Sequence, residues 1–122
     1  GTRAVGIDIE KIEARSEGFA QLAFSAQELA LLEGEAFDVA CARGWVVKEV
    51  IAKANGTGLQ GRLADFVIDG RDGDCLSVNG LWVVTHRLGD YIVGWLLDVY
   101  GEDATVETSQ ALPHNLVRVR TA

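Results

Sequence analysis

The chain has 122 residues, of which 48% are hydrophobic and 24% are charged, and its formal net charge is −7 at pH 7. This length suits one domain with a real core, and no apolar run reaches the ~18 residues that a membrane-spanning helix requires. The 11 basic residues are scattered among 18 acidic ones, which argues against the concentrated basic surface of a nucleic-acid-binding protein. We therefore expect one soluble domain over residues 1–122, with a core at about 4–100 and a polar tail at 101–122, and neither nucleic acid nor membrane as a partner.

Cysteine usage and the N-terminus bear on the compartment. Cys41 and Cys75 are isolated, with neither metal-ligand spacing nor a disulfide framework, and the first residues lack the layout of a signal peptide. Both observations favour a cytoplasmic location. The absence of Met fits either an initiator trimmed before Gly1 or a module of a longer polypeptide, and we favour the second because the candidate functional residues start almost at the first residue.

The first predicted strand is Ala4–Ile12, where apolar and polar residues alternate. Asp8 and Glu10 then project from one face, about 6.5–7 Å apart along the strand. Two carboxylates at this separation are either a solvated outer face or half of a site for a hard cation such as Mg²⁺. The strand alone leaves both interpretations open.

Helices are predicted next. Ser16–Leu22 is compatible with a short helical turn, and a capping-box pattern starts a second helix at Ser25, which should end near Gly34. The longest helix is expected from about Phe37 to Asn55, with Asp38 as its N-cap.

One stripe of this long helix is chemically mixed. Trp45, Glu49 and Lys53 recur at four-residue spacing between apolar stripes. An ordinary surface ion pair between Glu49 and Lys53, worth about 0.3–0.5 kcal/mol, is one explanation. The helix should end at Gly56, and the turn that contains Gly58 lets backbone approach a ligand.

The second half of the chain has the pattern of a meander. Asn79-Gly80 is a strong hairpin signal, and the apolar segment Tyr91–Tyr100 should be the central, buried strand. The other predicted strands are Leu63–Ile68, Cys75–Val78, Leu81–Leu88 and an edge strand at Leu116–Arg120, with a turn at Gly70–Asp74. This order of elements predicts an α+β domain in which the long helix packs on one face of an antiparallel sheet.

The acidic residues of the strand and of the helix could together form one site. If Asp8 and Glu10 face the helix that carries Glu49 and Lys53, three carboxylates and a lysine converge. Such a group could hold a divalent cation against a diphosphate, with Lys53 neutralising an oxygen that the metal does not reach.

Three motifs together resemble a known family. Gly6–Lys11 reads GIDIEK, Trp45–Lys53 reads WxxKExxxK, and Gly56–Leu59 reads GTGL. This combination is similar to the signature of 4′-phosphopantetheinyl transferases, and the resemblance extends over roughly Val5–Leu97. It implies the fold of that family and an enzyme that moves the phosphopantetheine arm of coenzyme A onto a serine of an acyl or peptidyl carrier protein, releasing adenosine 3′,5′-bisphosphate. The GIDIEK motif on a short chain implies a transferase module of a multidomain synthase, such as a polyketide or fatty-acid synthase.

The resemblance also implies roles for individual residues. Asp8 and Glu49 match the two metal ligands of the family, and Glu10 matches a third acid found in its two-lobed, surfactin-type branch. Lys53 matches the lysine on the coenzyme A phosphates, and Lys48 matches the lysine beside the metal-binding glutamate. By this resemblance, Glu49 accepts the serine proton, directly or through water, and Lys53 stabilises the departing bisphosphate.

Two further cofactor contacts are expected at Gly58 and His86. The pair Thr85-His86 resembles a pair near the nucleotide in short members of the family, although an ordinary strand residue is the alternative for His86. Short members complete the coenzyme A pocket by trimerising, so a homotrimer is implied.

Two other classes of protein stay open. A non-catalytic docking domain of the same fold would need no metal, and a lack of Mg²⁺-dependent coenzyme A binding would favour it. A metal-dependent phosphoesterase would hydrolyse diphosphates without a carrier protein.

Overall fold

The computed structural model describes residues 6–56, 63–97, 104–107 and 118–121. Three helices and five strands form the main body, and two short strands follow. The elements are β1 (Ile7–Lys11), α1 (Glu17–Ala23), α2 (Ala26–Leu31), α3 (Phe37–Ala54), β2 (Ile68–Asp72), β3 (Cys75–Val78), β4 (Leu81–Leu88), β5 (Tyr91–Leu97), β6 (Ala104–Glu107) and β7 (Arg118–Thr121).

The main sheet has five antiparallel strands in the order β1-β5-β4-β3-β2. The predicted α+β architecture is confirmed. The strand expected to be central, β5, lies between β1 and β4 and is buried over Ile92–Leu96, but β4 occupies the middle of the sheet. The tail strand is also present, as 118–121, and it pairs with 104–107 in a separate two-stranded sheet.

The long helix α3 lies on one face of the sheet and is held there by two glycines. A Cβ added at Gly6 would collide with the backbone carbonyl of Val50, and one at Gly94 would collide with Val46. Val46 and Val50 are fully buried at these contacts. Glycine at both strand positions therefore lets α3 approach β1 and β5 closely enough to bring helix and strand side chains together.

Side chains cap the N-termini of two of the three described helices. Ser16 caps α1 and Ser25 forms the full predicted capping box of α2. The prediction that Asp38 caps α3 is wrong: Ala36 is the N-cap residue, and Asp38 Oδ1 accepts the backbone N–H of Arg15 at 3.2 Å. Asp38 thus lies inside the first turn, where its charge still suits the helix dipole.

The prediction of a strand at Leu63–Ile68 with a turn at 70–74 is wrong. Residues Leu63–Asp65 form one turn of 3-10 helix, and β2 begins only at Ile68. Gly70 belongs to this strand, at a register shift where a Cβ would lie 2.7 Å from the Ser77 hydroxyl. Gly70 therefore permits close approach within the ladder, and the turn itself is made at Gly73, whose φ is +60°.

The sheet face opposite α3 carries exposed apolar side chains. Ile7 and Ile9 of the edge strand β1 are 58% and 56% exposed, and Trp82 and Tyr91 are also exposed. Among the described segments, no helix is long and apolar enough to cross a membrane.

Candidate active site

Strand β1 and helix α3 bring the predicted acidic residues and lysine together. Asp8 is 8% exposed and faces α3, because Asp8 and Gly6 alternate with the exposed Ile7 and Ile9. Lys53, one turn beyond Glu49 on α3, places its Nζ 2.7 Å from Asp8 Oδ1 and donates a hydrogen bond to it. The lysine side chain is itself 48% exposed, so the pair joins a buried carboxylate to a solvent-facing cation.

The second carboxylate oxygen of Asp8 has no such partner. Within the described residues, Asp8 Oδ2 is buried and makes no hydrogen bond. A buried acceptor without a donor or cation is costly, and functional sites are a common place for one. This oxygen, with two further carboxylates nearby, is the donor chemistry that Mg²⁺ prefers.

The surroundings of Glu10 strongly raise its pKa. Burial, a hydrogen bond with Asp8 and the negative charges of Asp8 and Glu49 raise the pKa of Glu10 to about 7, against a smaller opposing effect of Lys53. A carboxyl group whose pKa is about 7 still carries its proton over part of the neutral pH range. A bound cation would remove the need for that proton.

The pKa values of Glu49 and Lys53 are both raised. Burial and the negative charge of Asp8 raise the pKa of Glu49, and Lys53 lowers it. The hydrogen bond to Asp8 raises the pKa of Lys53, as do the charges of Asp8, Glu49 and Glu10, against the effect of burial. The lysine therefore stays charged, and Glu49 is a stronger base than a free glutamate.

The three acids do not form a ready-made metal cage. Over the described part of the chain, no group of three or more histidine, cysteine or acidic side chains is arranged so that it could hold a metal ion. Asp8, Glu10 and Glu49 are nevertheless close enough to perturb one another electrostatically. Their chemistry fits a divalent cation, and the assignment of these residues as ligands stays a prediction.

An open groove adjoins these residues. Its volume is about 330 Å³, and it lies beside the edge strand, lined by Ile7, Asp8, Ile9, Lys53 and Val93. Since most of its wall is apolar and its charged groups are Asp8 and Lys53, the groove can accept a ligand that joins an uncharged chain to an anionic group.

Lys48 does not join this group, despite its place beside Glu49 in the sequence. Its side chain is fully buried, and its Nζ lies 2.7 Å from Glu28 Oε2 and 5.5 Å from the centroid of the Phe24 ring. A lysine buried in an ion pair is not presented to a coenzyme. The structure therefore gives no support to the expected contact between Lys48 and coenzyme A.

The other two expected cofactor contacts are placed differently. Gly58 lies outside the described residues. His86 pairs with Val93, which in turn pairs with Ile9, so these three share the sheet face opposite α3. Within one chain, His86 is thus not on the face that carries Asp8, whereas its neighbour Thr85 is on that face and is buried.

Sequence reasoning missed Glu28 and Arg43. Glu28 was identified only as part of a capping box, but it also binds Lys48 and the backbone N–H of Ile68. Arg43 is 5% exposed and bonds to Glu35 and Thr85, with its Nη1 2.6 Å from the Thr85 hydroxyl. Their only sequence signal is a charge on a helix face that must be buried, which spacing alone does not reveal.

Comparison with known proteins identifies the family. The profile of the 4′-phosphopantetheinyl transferase superfamily matches residues 4–99, which include β1, α3 and the whole main sheet. The chain belongs to this superfamily, and its class is that of the phosphopantetheinyl transferases. Neither the curated proteins nor the solved structures with which the chain was compared match it.

Proposed function

We propose that this protein transfers the 4′-phosphopantetheine arm of coenzyme A to a serine of an acyl or peptidyl carrier protein in a Mg²⁺-dependent reaction that releases adenosine 3′,5′-bisphosphate. The observation that carries the proposal is the placement of Asp8: one oxygen forms a salt bridge with Lys53, and the other is buried without a hydrogen bond from any residue that the structure describes. The membership of the superfamily supplies the reaction class.

Asp8, Glu10 and Glu49 are the residues that would hold Mg²⁺. When bound, the ion offsets the negative charge that builds on the diphosphate. Burial and then the negative charge of neighbouring carboxylates raise the pKa of Glu10 and of Glu49, and a bound cation would offset that negative charge.

Glu49 is the proposed general base. The serine Oγ forms a bond to the phosphorus that bears the pantetheine arm, and the bond from this phosphorus to the bridging oxygen breaks. The proton of the serine passes to a Glu49 carboxylate oxygen, and the bridging oxygen leaves with adenosine 3′,5′-bisphosphate. Burial is the first cause that raises the pKa of Glu49, and this contribution favours proton transfer to its carboxylate.

Lys53 is proposed to neutralise the leaving bisphosphate. Its side chain is 48% exposed at the groove, and its ammonium is held 2.7 Å from Asp8. A long side chain in this position can exchange the aspartate for a phosphate oxygen without the helix moving. The apolar wall formed by Ile7, Ile9 and Val93 suits the uncharged pantetheine arm.

A second copy of the chain is proposed to complete the pocket, in a homotrimer. Two observations support this. The exposed Ile7 and Ile9 form an apolar surface beside the acidic residues, and His86 lies on that same face, away from the Asp8 side of its own chain. His86 would then contact the coenzyme bound by a neighbouring subunit.

The direct test is to incubate the protein with coenzyme A, Mg²⁺ and an apo carrier domain and to weigh the carrier by mass spectrometry. A mass gain equal to one phosphopantetheine group, lost with excess chelator, supports the proposal. Hydrolysis of coenzyme A without carrier would indicate a phosphoesterase. Coenzyme A binding that is independent of Mg²⁺ and is followed by no transfer would indicate a docking domain.

A further inference from the structure

The side of α3 that faces away from the sheet holds a buried charge. Val46 and Val50 face the sheet, whereas Lys48 lies between them in sequence and so points to the opposite side of the helix. Gly44, one turn before Lys48, lies against Phe24 and Leu32, and a Cβ there would come within 2.9 Å of both side chains. The helix is therefore enclosed on both sides.

Glu28 is the negatively charged partner of Lys48. Its carboxylate accepts from two backbone N–H groups and from the lysine ammonium. Its Oε1 accepts the backbone N–H of Ser25 at 2.8 Å, and its Oε2 accepts the backbone N–H of Ile68 at 2.8 Å and lies 2.7 Å from Lys48 Nζ. Glu28 is 3% exposed. Only a carboxylate accepts from all three, because the amide of glutamine would present its own N–H groups to one of these donors.

The contacts of Glu28 join two other elements to α3. Ser25 begins α2, Ile68 begins β2, and Lys48 lies in the middle of α3. Glu49 is the next residue of that helix, on the flank between the sheet contact and the buried pair. If α3 turned by about 20°, a carboxylate about 7 Å from the helix axis would move by about 2 Å.

We propose that Glu28 and Lys48 are positioning residues for the active site, because their buried ion pair fixes the rotation of α3 and so the place of Glu49 opposite Asp8. This inference rests on the proposed function, since it assumes that Glu49 binds the metal and accepts the proton. Val46 and Val50 alone are apolar contacts without direction, whereas the ion pair and its two backbone hydrogen bonds are directional.

The test needs a variant that keeps the fold. Glu28→Gln alone leaves the Lys48 ammonium buried without its counter-charge, so the main variant is the double change Glu28→Gln with Lys48→Met, which removes both charges at similar volume. The matched control is Glu35→Gln together with Arg43→Met. Arg43 also belongs to α3 and binds both carboxylate oxygens of Glu35, at 3.0 and 3.1 Å, and this pair contacts none of the four active-site side chains in the described structure.

Two readouts separate positioning from plain stability. The first is Mn²⁺ binding measured by calorimetry at a temperature where circular dichroism shows all variants folded. The second is transfer to the apo carrier, analysed as kcat and as KM for the carrier. We expect the Glu28/Lys48 variant to bind Mn²⁺ about 10–100-fold more weakly and to lose kcat with little change in the KM for the carrier, while the control stays near wild type in both.

Equal Mn²⁺ affinity in the Glu28/Lys48 variant and wild type would overturn the inference, as would equal losses in the two variants. If the wild type binds Mn²⁺ but modifies no carrier, the proposed function fails, and the two Mn²⁺ affinities still decide whether Glu28 and Lys48 position the site. A folded wild type that binds no Mn²⁺ would have no metal site to position and would overturn the inference as well.

Discussion

Asp8 shares only one of its oxygens with Lys53. The Oδ1–Nζ distance is 2.7 Å, whereas Oδ2 is buried and, within the described residues, makes no hydrogen bond. The pair is therefore unlike a closed surface salt bridge, because half of a buried carboxylate remains available. That available oxygen is the feature on which the proposed metal site depends.

Removing the charge of Asp8 should abolish Mg²⁺ binding while the fold persists. In wild type, Mg²⁺ above its dissociation constant should raise the melting temperature by mass action, and in Asp8→Asn it should not. Asp72→Asn, on the exposed end of β2, is the control and should respond to Mg²⁺ as wild type does. A full Mg²⁺ response in Asp8→Asn would show that the aspartate is not a ligand.

Glu49→Gln should lower kcat by about 10²–10⁴-fold, the usual contribution of a general base. The amide cannot accept the serine proton, but it keeps the volume of the half-buried side chain, so the free energy of unfolding should change little. The measurement is single-turnover transfer to the apo carrier at saturating coenzyme A. A kcat within about twofold of wild type would assign the proton transfer to another group.

The metal-free protein should lose stability as the pH rises from about 4.5 to 7. Glu10 titrates near 4.5 when unfolded and at about 7 when folded. Between these values the folded state binds more protons than the unfolded state, so the free energy of unfolding must fall with rising pH. Urea unfolding across this window should show a shallower fall in Glu10→Gln.

A control variant shows whether that slope belongs to Glu10. Glu33→Gln changes an acid that lies exposed after α2, and it should leave the pH dependence of wild type in place. Identical slopes for wild type and Glu10→Gln would contradict the raised pKa of Glu10.

Charging the apolar sheet face should disrupt the proposed assembly. Ile9→Glu places a carboxylate at a position that is 56% exposed in one chain, so the fold of the subunit should tolerate it. Burying that charge at an interface without a partner is costly, so sedimentation should show a smaller species than for wild type. Lys11→Glu, on the same strand but already polar, is the control. An unchanged wild-type assembly in Ile9→Glu would place the interface elsewhere.

Sequence patterns predicted the individual helices and strands better than they predicted the contacts between these elements. The alternation of β1, the capping box of α2 and the hairpin at Asn79-Gly80 are local signals, and the structure confirms each of them. The strand at Leu63–Ile68 was wrong because Gly70 looked like a turn residue, and its role opposite Ser77 depends on a partner strand. Close approach between strands is not visible in a single segment.

For the candidate site, too, sequence patterns predicted which face a side chain lies on better than they predicted its tertiary contacts. The convergence of Asp8 and Glu10 on α3 followed from period-two alternation, and the place of Glu49 and Lys53 followed from helical spacing. Lys48 does not lie with Glu49 because adjacency in sequence means a turn of about 100° around the helix. Its partner Glu28 lies 20 residues earlier, and only the tertiary packing joins the two.

The two glycines under α3 should differ in whether a second mutation rescues them. Gly94→Ala would force the side chain of Val46 to move, at a cost of about 1–3 kcal/mol, and Val46→Ala should restore part of that loss because the obstacle is a side chain. At Gly6 the obstacle is the backbone carbonyl of Val50, so Gly6→Ala must push β1 away from the helix and should cost more than about 3 kcal/mol. Val50→Ala should not rescue it, since the carbonyl remains. Asp8 belongs to β1, so moving this strand away from the helix in Gly6→Ala should also weaken Mg²⁺ binding. The Gly94→Ala/Val46→Ala double variant should retain Mg²⁺ binding. Rescue of Gly6→Ala by Val50→Ala would refute this account of how strand and helix are held together.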